Sequence, residues 1–294
     1  MITNVMTVDV EDYFHVSVFD GVVPRSRWAT LESRVQGNTE RLLDIFDEHE
    51  VRATFFVLGW VADRCPGLVR TISGRGHEIA SHGYSHRLIY DQTRDAFRQD
   101  VRRAKGLLEA ASGAAVLGYR APSYSITPRS LWALDVLIEE GYRYDASIFP
   151  IRHDRYGIPL SPRHPYLLRR QAGDLLEAPA STARVGPLNV PIAGGGYFRI
   201  LPYAWTRLGI RRVNRSERRP VIFYLHPWEI DPDQPRLRVG LLSRFRHYRN
   251  LARTEPRLRR LLSEFRFGPM ANVLDTADSS LTTDQSPEAL PYVW

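Results

Sequence analysis

Lysine is almost missing from this chain. Lys105 is the only one, so the formal net charge of +7 is carried by arginine. Cysteine is as scarce: Cys65 stands alone, which excludes an intrachain disulfide and any thiolate cage for a metal. No apolar run approaches the roughly 20 residues that a membrane-spanning helix needs; the longest extends from Phe55 to about Ala62. The opening Met1-Ile2-Thr3-Asn4-Val5 has no basic region, which argues against a secretion signal and sets the expectation of a cytoplasmic protein. Basic stretches studded with aromatics and a base-reading helix are also lacking, so no nucleic-acid partner is expected.

What is present suits a large globular domain: 294 residues, 43% hydrophobic and 25% charged. Strand and helix patterns alternate. Val5–Val10 reads as a buried strand, 38–50 as a helix, 53–58 as a strand, and 60–74 as a helix with Pro66 breaking it. A short strand precedes His82, an amphipathic helix spans 93–111, a strand spans 114–118, and Thr127-Pro128 opens a helix to Glu140. That rhythm points to a parallel sheet or a barrel. Residues 151–170 look loop-like, 174–178 and 188–192 look like short strands, and 220–226 is the clearest strand of the second half. Residues 241–267 read as a long basic helix or helix pair. From 271 the charged residues are Asp275, Asp278, Asp284 and Glu288, with no basic one, and a mobile tail is expected. The resulting division is 1–235 for the main domain, 236–270 for a basic helical extension packed on it, and 271–294 for the tail.

Polar landmarks cluster at strand ends. Asp9, Glu11 and Asp12 crowd three carboxylates into four residues, an arrangement that asks for a cation or a proton. His82 and His86 stand four apart in Ser-His-Gly-Tyr-Ser-His; on a helical turn both rings reach one metal ion. Arg120-Ala-Pro122, Asp145 and His226 each follow or finish a strand, and barrels carry their chemistry on that face. Gly194-Gly195-Gly196 permits close backbone approach. The arginines fall into two tracts, Arg207–Arg219 and Arg236–Arg260, whose forked donors suit an anionic polymer, a lipid diphosphate head group or an inner membrane surface. The alternative is that they are solvated faces of two surface helices.

In this order the landmarks resemble the NodB-homology polysaccharide deacetylases, carbohydrate esterase family 4, over roughly residues 2–150 and 218–230. The resemblance implies an α/β fold, a distorted barrel of seven or eight β/α units, here with a C-terminal helical extension. It also implies a metal-dependent N-deacetylase acting on N-acetylated sugars. In the family's terms His82 and His86 are ligands of one divalent ion, with Glu11 or Asp12 as the third. Asp9 is the base, His226 the acid, Arg120 the orienter of the base, and Asp145 a nearby support. Zinc suits that donor set, as do cobalt and nickel. Tyr124, Tyr197, Phe198 and Trp228 are the aromatic candidates for sugar contact. The opening Asp-Val-Glu-Asp-Tyr-Phe, residues 194–199 and the basic C-terminal helix resemble a narrower branch that accompanies exosortase-linked exopolysaccharide clusters, which implies an exopolysaccharide or its lipid-linked precursor as substrate, at or near the inner membrane. Three departures stand out: Val10 follows Asp9 where the family pattern has a second aspartate, Tyr124 falls one place late after Arg-x-Pro, and Phe149 replaces a common tryptophan. Such changes also occur in allantoinase-like hydrolases of cyclic amides and ureides. That activity is the alternative on the same metal site, and a non-catalytic module that binds anionic glycans is the other.

Overall fold

The computed structural model describes residues 2–277 and 282–284. Its strands, in chain order, are β1 Thr3–Val10, β2 Thr54–Val57, β3 Glu78–Ser81, β4 Gly118–Tyr119, β5 Tyr144–Asp145, β6 Tyr166–Arg170, β7 Gly173–Glu177, β8 Thr182–Val185, β9 Leu188–Pro191, β10 Ile222–Leu225, β11 Arg266–Gly268 and β12 Thr282–Asp284. The helices are α1 Val35–Glu48, α2 Gly59–Arg64, α3 Pro66–Gly74, α4 Arg94–Ser112, α5 Trp132–Glu139, α6 Gly195–Ile200, α7 Tyr203–Arg212, α8 Leu241–Tyr248, α9 Leu251–Glu264 and α10 Met270–Ala277.

β10, β1, β2, β3, β4, β5 and β7 lie side by side in that order, all parallel, and β6 runs antiparallel on β7. Strands buried on both faces need near-continuous apolar sequence. β1 supplies it, with Val5, Met6, Val8 and Val10 fully buried. The sheet is strongly curled. Neighbouring strands are about 4.8 Å apart, so β1 and β4 would stand roughly 14 Å apart in a flat sheet. Yet Arg120, just past β4, places Nη1 2.8 Å from Thr7 Oγ1 and 2.6 Å from Asp9 Oδ1 on β1. The two ends of the arc also approach, since Ile222 N donates to Ser181 Oγ at 2.8 Å. The expected barrel-like parallel architecture is therefore present.

Helices pack where the sequence pattern places them. Pro66 divides α2 from α3, and Thr93 caps α4 by accepting from Ala96 N. The 241–267 stretch is a helix pair, with a loop at Arg249-Asn250. Its end holds a feature the apolar pattern does not announce: Arg266–Gly268 is a third parallel partner of β1. The basic extension thus feeds a strand back into the main sheet. The loose tail expected from 271 is corrected over its first turns. α10 buries Met270, Val273 and Leu274 against Val5, Phe56 and Ile222. β12 runs parallel with β6; the rest of that segment lies outside the described residues.

Candidate active site

The site forms where the C-terminal ends of β1, β3, β4 and β10 converge on a cavity of about 450 Å³. β1 delivers Asp9 and, one residue past its end, Glu11. The two are two apart in an extended chain, so they share a side of the strand. β3 ends at Ser81 and hands His82 to the loop that follows.

That loop is not helical. Both histidines lie in a bend, with Gly83 at φ +71° and His86 at φ +50°. A Cβ on Gly83 would sit 2.9 Å from Asp100 Oδ2, so glycine is required both for its conformation and for its contact. Asp100, from α4, accepts from Tyr84 N at 2.6 Å, from Ser85 N at 3.1 Å and from the Ser85 hydroxyl. Gly59 and Trp60, in the first turn of α2, donate their amides to the carbonyls of Gly83 and Tyr84. The loop is held from two helices and places its imidazoles without a helical turn of its own.

Glu11, His82 and His86 present ligand atoms within 4.8 Å of one another, all buried. Glu11 Oε2 is 2.6 Å from His86 Nε2 and 4.0 Å from His82 Nε2. His82 Nδ1 donates to the Arg120 carbonyl at 2.9 Å, which leaves Nε2 with its lone pair facing the trio. Burial, with His86 nearby, lowers His82 to about 4 and keeps it neutral, as a ligand must be. Burial works against ionising Glu11, but the imidazoles of His86, His226 and His82 hold its carboxyl well below the usual range. Two nitrogens and a buried carboxylate oxygen suit a divalent cation of the zinc type.

The third member of the trio is therefore Glu11, and Asp12 is corrected out of the ligand set. Asp12 turns away to cap the start of the next elements. It accepts from Tyr13 N at 3.0 Å, Ser33 Oγ at 2.7 Å, Arg34 N at 2.8 Å and Val35 N at 3.2 Å.

Asp9 and His226 stand beside the trio. Arg120, 1% exposed, clamps Asp9 Oδ1 and lies over the Phe56 ring at 4.1 Å. His226 Nε2 is 3.8 Å from Asp9 Oδ2 and 3.6 Å from Glu11 Oε1. On its other side His226 Nδ1 meets Glu229 Oε1 at 2.6 Å, and Glu229 Oε2 meets Arg199 Nε at 2.6 Å. Burial alone would lower His226; the bond to Glu229 and the charges of Glu11, Glu229 and Asp9 raise it to about 9. The imidazole is thus held charged, with a proton on Nε2 facing the cavity. Glu229 and Arg199 are the residues that sequence reasoning passed over. The available signal was Glu229 three residues after His226, with Pro227 starting a turn between them.

The remaining candidates divide. Tyr124 and Tyr197 line the cavity, Tyr197 pairing its hydroxyl with Tyr156 at 3.2 Å. Tyr156 stacks on His153 at 3.8 Å, extending an aromatic wall that the loop-like 151–170 stretch gave no cue to. Trp228 also lines it, but its Nε1 donates to Glu11 Oε1 at 3.2 Å, so it positions a ligand as well. Phe198 is corrected: it is 1% exposed and packs edge-on to Phe223 at 5.0 Å, away from the cavity. Asp145 takes the supporting place expected of it and not a catalytic one. It does not line the cavity; its carboxylate receives Ser147 N and Oγ, and Ser147 Oγ accepts from Ala121 N beside Arg120. Asp145 also faces Glu177 across the β5–β7 register, and both are completely buried. Burial and the neighbouring Asp145 carboxylate raise Glu177 well above the carboxylate range, so the pair shares a proton. The glycine run approaches Tyr224: a Cβ on Gly194, at φ +90°, would lie 2.2 Å from the Tyr224 carbonyl oxygen.

Residues 21–144 match the family model described as polysaccharide deacetylase, and residues 146–275 match one described as a domain of unknown function, DUF3473. The chain is 34% identical over 98 residues to a peptidoglycan-N-acetylglucosamine deacetylase of Bacillus cereus, a match covering 33% of this chain and 36% of that one. It is 39% identical over 100 residues to a chitooligosaccharide deacetylase of Sinorhizobium fredii, covering 34% and 44%. Residues 21–144 are a polysaccharide deacetylase domain. It spans less than half the length of those two curated deacetylases. The deacetylase fold extends through both matched regions. A crystal structure of a Mycobacterium smegmatis protein described as a polysaccharide deacetylase superposes with a TM-score of 0.66 at 23% identity, over 99% of this chain and 96% of its own. An allantoinase superposes at 0.59 and 14% identity, over 95% and 91%. At these identities the two structures speak for the fold alone.

Proposed function

We propose that this chain hydrolyses the N-acetyl amide of a sugar unit in an oligo- or polysaccharide, an exopolysaccharide or its precursor in the sequence-based reading. The observation that carries the proposal is the buried Glu11–His82–His86 trio, with Asp9 and a charged His226 converging on one point of the cavity floor. The names of the curated relatives support the same substrate class. A divalent cation held by Glu11, His82 Nε2 and His86 Nε2, zinc by the donor set, would supply polarisation of the acetyl carbonyl and of the attacking water.

The chain's own residues do the rest. Asp9, fixed by Arg120, whose Nη1 the Thr7 hydroxyl also holds, takes a proton on Oδ2 from the water as the water oxygen attacks the acetyl carbon. His226 gives its Nε2 proton to the departing sugar nitrogen as the C–N bond breaks, leaving acetate and a free amine. Glu229 holds Nδ1–H and stabilises the imidazolium before transfer. Tyr124, Tyr197, Tyr156 and His153 offer flat faces for sugar rings and exclude water from one wall.

The test is metal content together with acetate release from N-acetylglucosamine oligomers, with allantoin as a comparison substrate. We expect about one divalent ion per chain, and acetate release that chelation stops and metal restores. The His82→Ala, His86→Ala double variant should lose both. Full metal occupancy in that variant, or turnover of allantoin and not of the sugar, overturns the reading.

A further inference from the structure

We infer that α8 is a membrane-docking element that sets the deacetylase on an anionic lipid surface. Its outward face carries three large apolar side chains open to solvent: Leu241 is 84% exposed, Leu242 62% and Phe245, with the Arg249 guanidinium over its ring, 47%. Positions 241, 242 and 245 share one side of a helix. Exposed apolar residues scattered singly need no account, but three on a single two-turn helix do.

Charge decides the occupant. Arg236, Arg238, Arg244, Arg246 and Arg249 surround the apolar tip, all exposed, and none forms an ion pair with a carboxylate among the described residues. Four arginines of α7 and α9 differ. Arg207 and Arg211 face Glu264, Arg260 pairs with Glu264, and Arg259 bridges Glu255 and Glu48. Much of that basic surface is neutralised internally, whereas the α8 surface is not. A groove beside the tip, lined by Arg236, Arg238, Arg244, Val22 and Tyr248, offers forked donors over an apolar floor, which suits lipid phosphate. Leucines that enter the acyl boundary with arginines left at the head-group level are the pattern of an interfacial helix.

Other occupants fit less well. A second copy on a twofold axis would set this patch against itself and bring unpaired arginines face to face. A stable protein partner needs about 800 Å² from each side, more than one short protruding helix offers. Location supports the lipid. Arg246 and His247 of the same helix line the catalytic cavity, so a surface under α8 lies at its mouth. The inference goes beyond the hydrolytic reading and does not depend on it, because docking is measurable without turnover.

The experiment is cosedimentation of the full chain with phosphatidylcholine vesicles, with and without phosphatidylglycerol, at low and physiological salt. We expect pelleting with the anionic vesicles, weakened by salt, and little with phosphatidylcholine alone. Leu241→Asp, Leu242→Asp and Phe245→Asp together should abolish it. Arg238→Gln, Arg244→Gln and Arg249→Gln together should weaken it on the order of a hundredfold, at about fivefold per charge. Both variants should keep wild-type hydrolysis of a soluble aryl acetate and an unchanged melting curve, which separates lost docking from lost folding. A wild-type chain that stays in the supernatant with anionic vesicles overturns the inference. So does equal pelleting of the apolar-tip variant, or a concentration-dependent dimer in sedimentation that the same variant abolishes.

Discussion

His226 is set between two kinds of neighbour, and each controls a different part of its chemistry. Glu229, braced by Arg199, holds Nδ1, while Asp9 and Glu11 face Nε2. The folded value of about 9 lies above the ordinary imidazole value near 6.5. The proton is therefore present below about 9 and leaves as pH rises through that value, so acid-assisted turnover should fall on the alkaline side. Glu229→Gln removes a negative partner, and the alkaline limb of kcat/KM should move to lower pH by about one unit or more, with metal content unchanged. An unmoved limb would show that Glu229 does not tune the acid. His226→Ala should lose far more activity on an N-acetyl sugar than on an activated aryl acetate, because only the amine needs that proton. Asp9→Asn should lose both. Equal loss on both substrates in His226→Ala would remove the leaving-group role. At this scale, much of the site was legible in residue type and strand-end position, as with Asp9, His82, Arg120 and His226. The choice between Glu11 and Asp12 was not, because what diverts Asp12 is a set of backbone amides at Arg34 and Val35, more than twenty positions away. Phe198 and Tyr197 are adjacent and similar; only the contact with Phe223 decides which of them points inward.

Elements place these residues through a few specific attachments. Asp100 is the anchor of the metal-binding loop, receiving two backbone amides and one hydroxyl from Tyr84 and Ser85. Asp100→Ala should loosen the loop and weaken metal binding roughly 10- to 100-fold, by competition with a chromophoric chelator, without removing a ligand. Unchanged affinity would mean that the amides of α2 hold the loop alone. The β5–β7 pair carries a different kind of attachment. With a proton held between Asp145 and Glu177, the folded state binds more protons than the unfolded chain above the ordinary carboxylate range. Stability from this pair is therefore fullest at acid pH and declines as pH rises through the raised values. Glu177→Gln keeps a donor toward Asp145 and an acceptor for Ile148 N, and should flatten the dependence of melting temperature on pH above the ordinary carboxylate range. A variant as steep as the parent would assign the slope elsewhere. The helices and long strands were readable from their apolar spacing, and Pro66 marked its break. The strand end at Asp145 was also readable, but the strand expected at 114–118 shares only Gly118 with β4, and the loop carrying His86 is not the helical turn its spacing suggested, because such short segments take their conformation from neighbours rather than from any period of their own.

The whole molecule joins its two family regions through one strand. β1 carries Asp9, leads directly to Glu11, and pairs with β2, β10 and β11. The parallel rhythm of the first half made the sheet foreseeable, but nothing in the composition of Arg266–Gly268 foretold that the chain would return to β1 so late. This wiring has a consequence for biosynthesis. β1 leaves the ribosome first, yet its partner β10 begins at Ile222 and β11 at Arg266. At roughly 5 to 20 residues per second, β1 waits on the order of ten seconds or more for the strand that brings His226. Throughout that interval one side of an apolar strand, Val5 to Val10, has no partner, which makes nascent chains of intermediate length a target for holding chaperones. Stalled ribosome–nascent chains that end before residue 222 should give up zinc to a mild chelator at once, while those with residue 277 clear of the exit tunnel should retain it. Retention by the shorter chains would mean that the loop and Glu11 assemble unaided. The metal is on this account a post-translational acquisition, loaded only after the last strand has closed over the first.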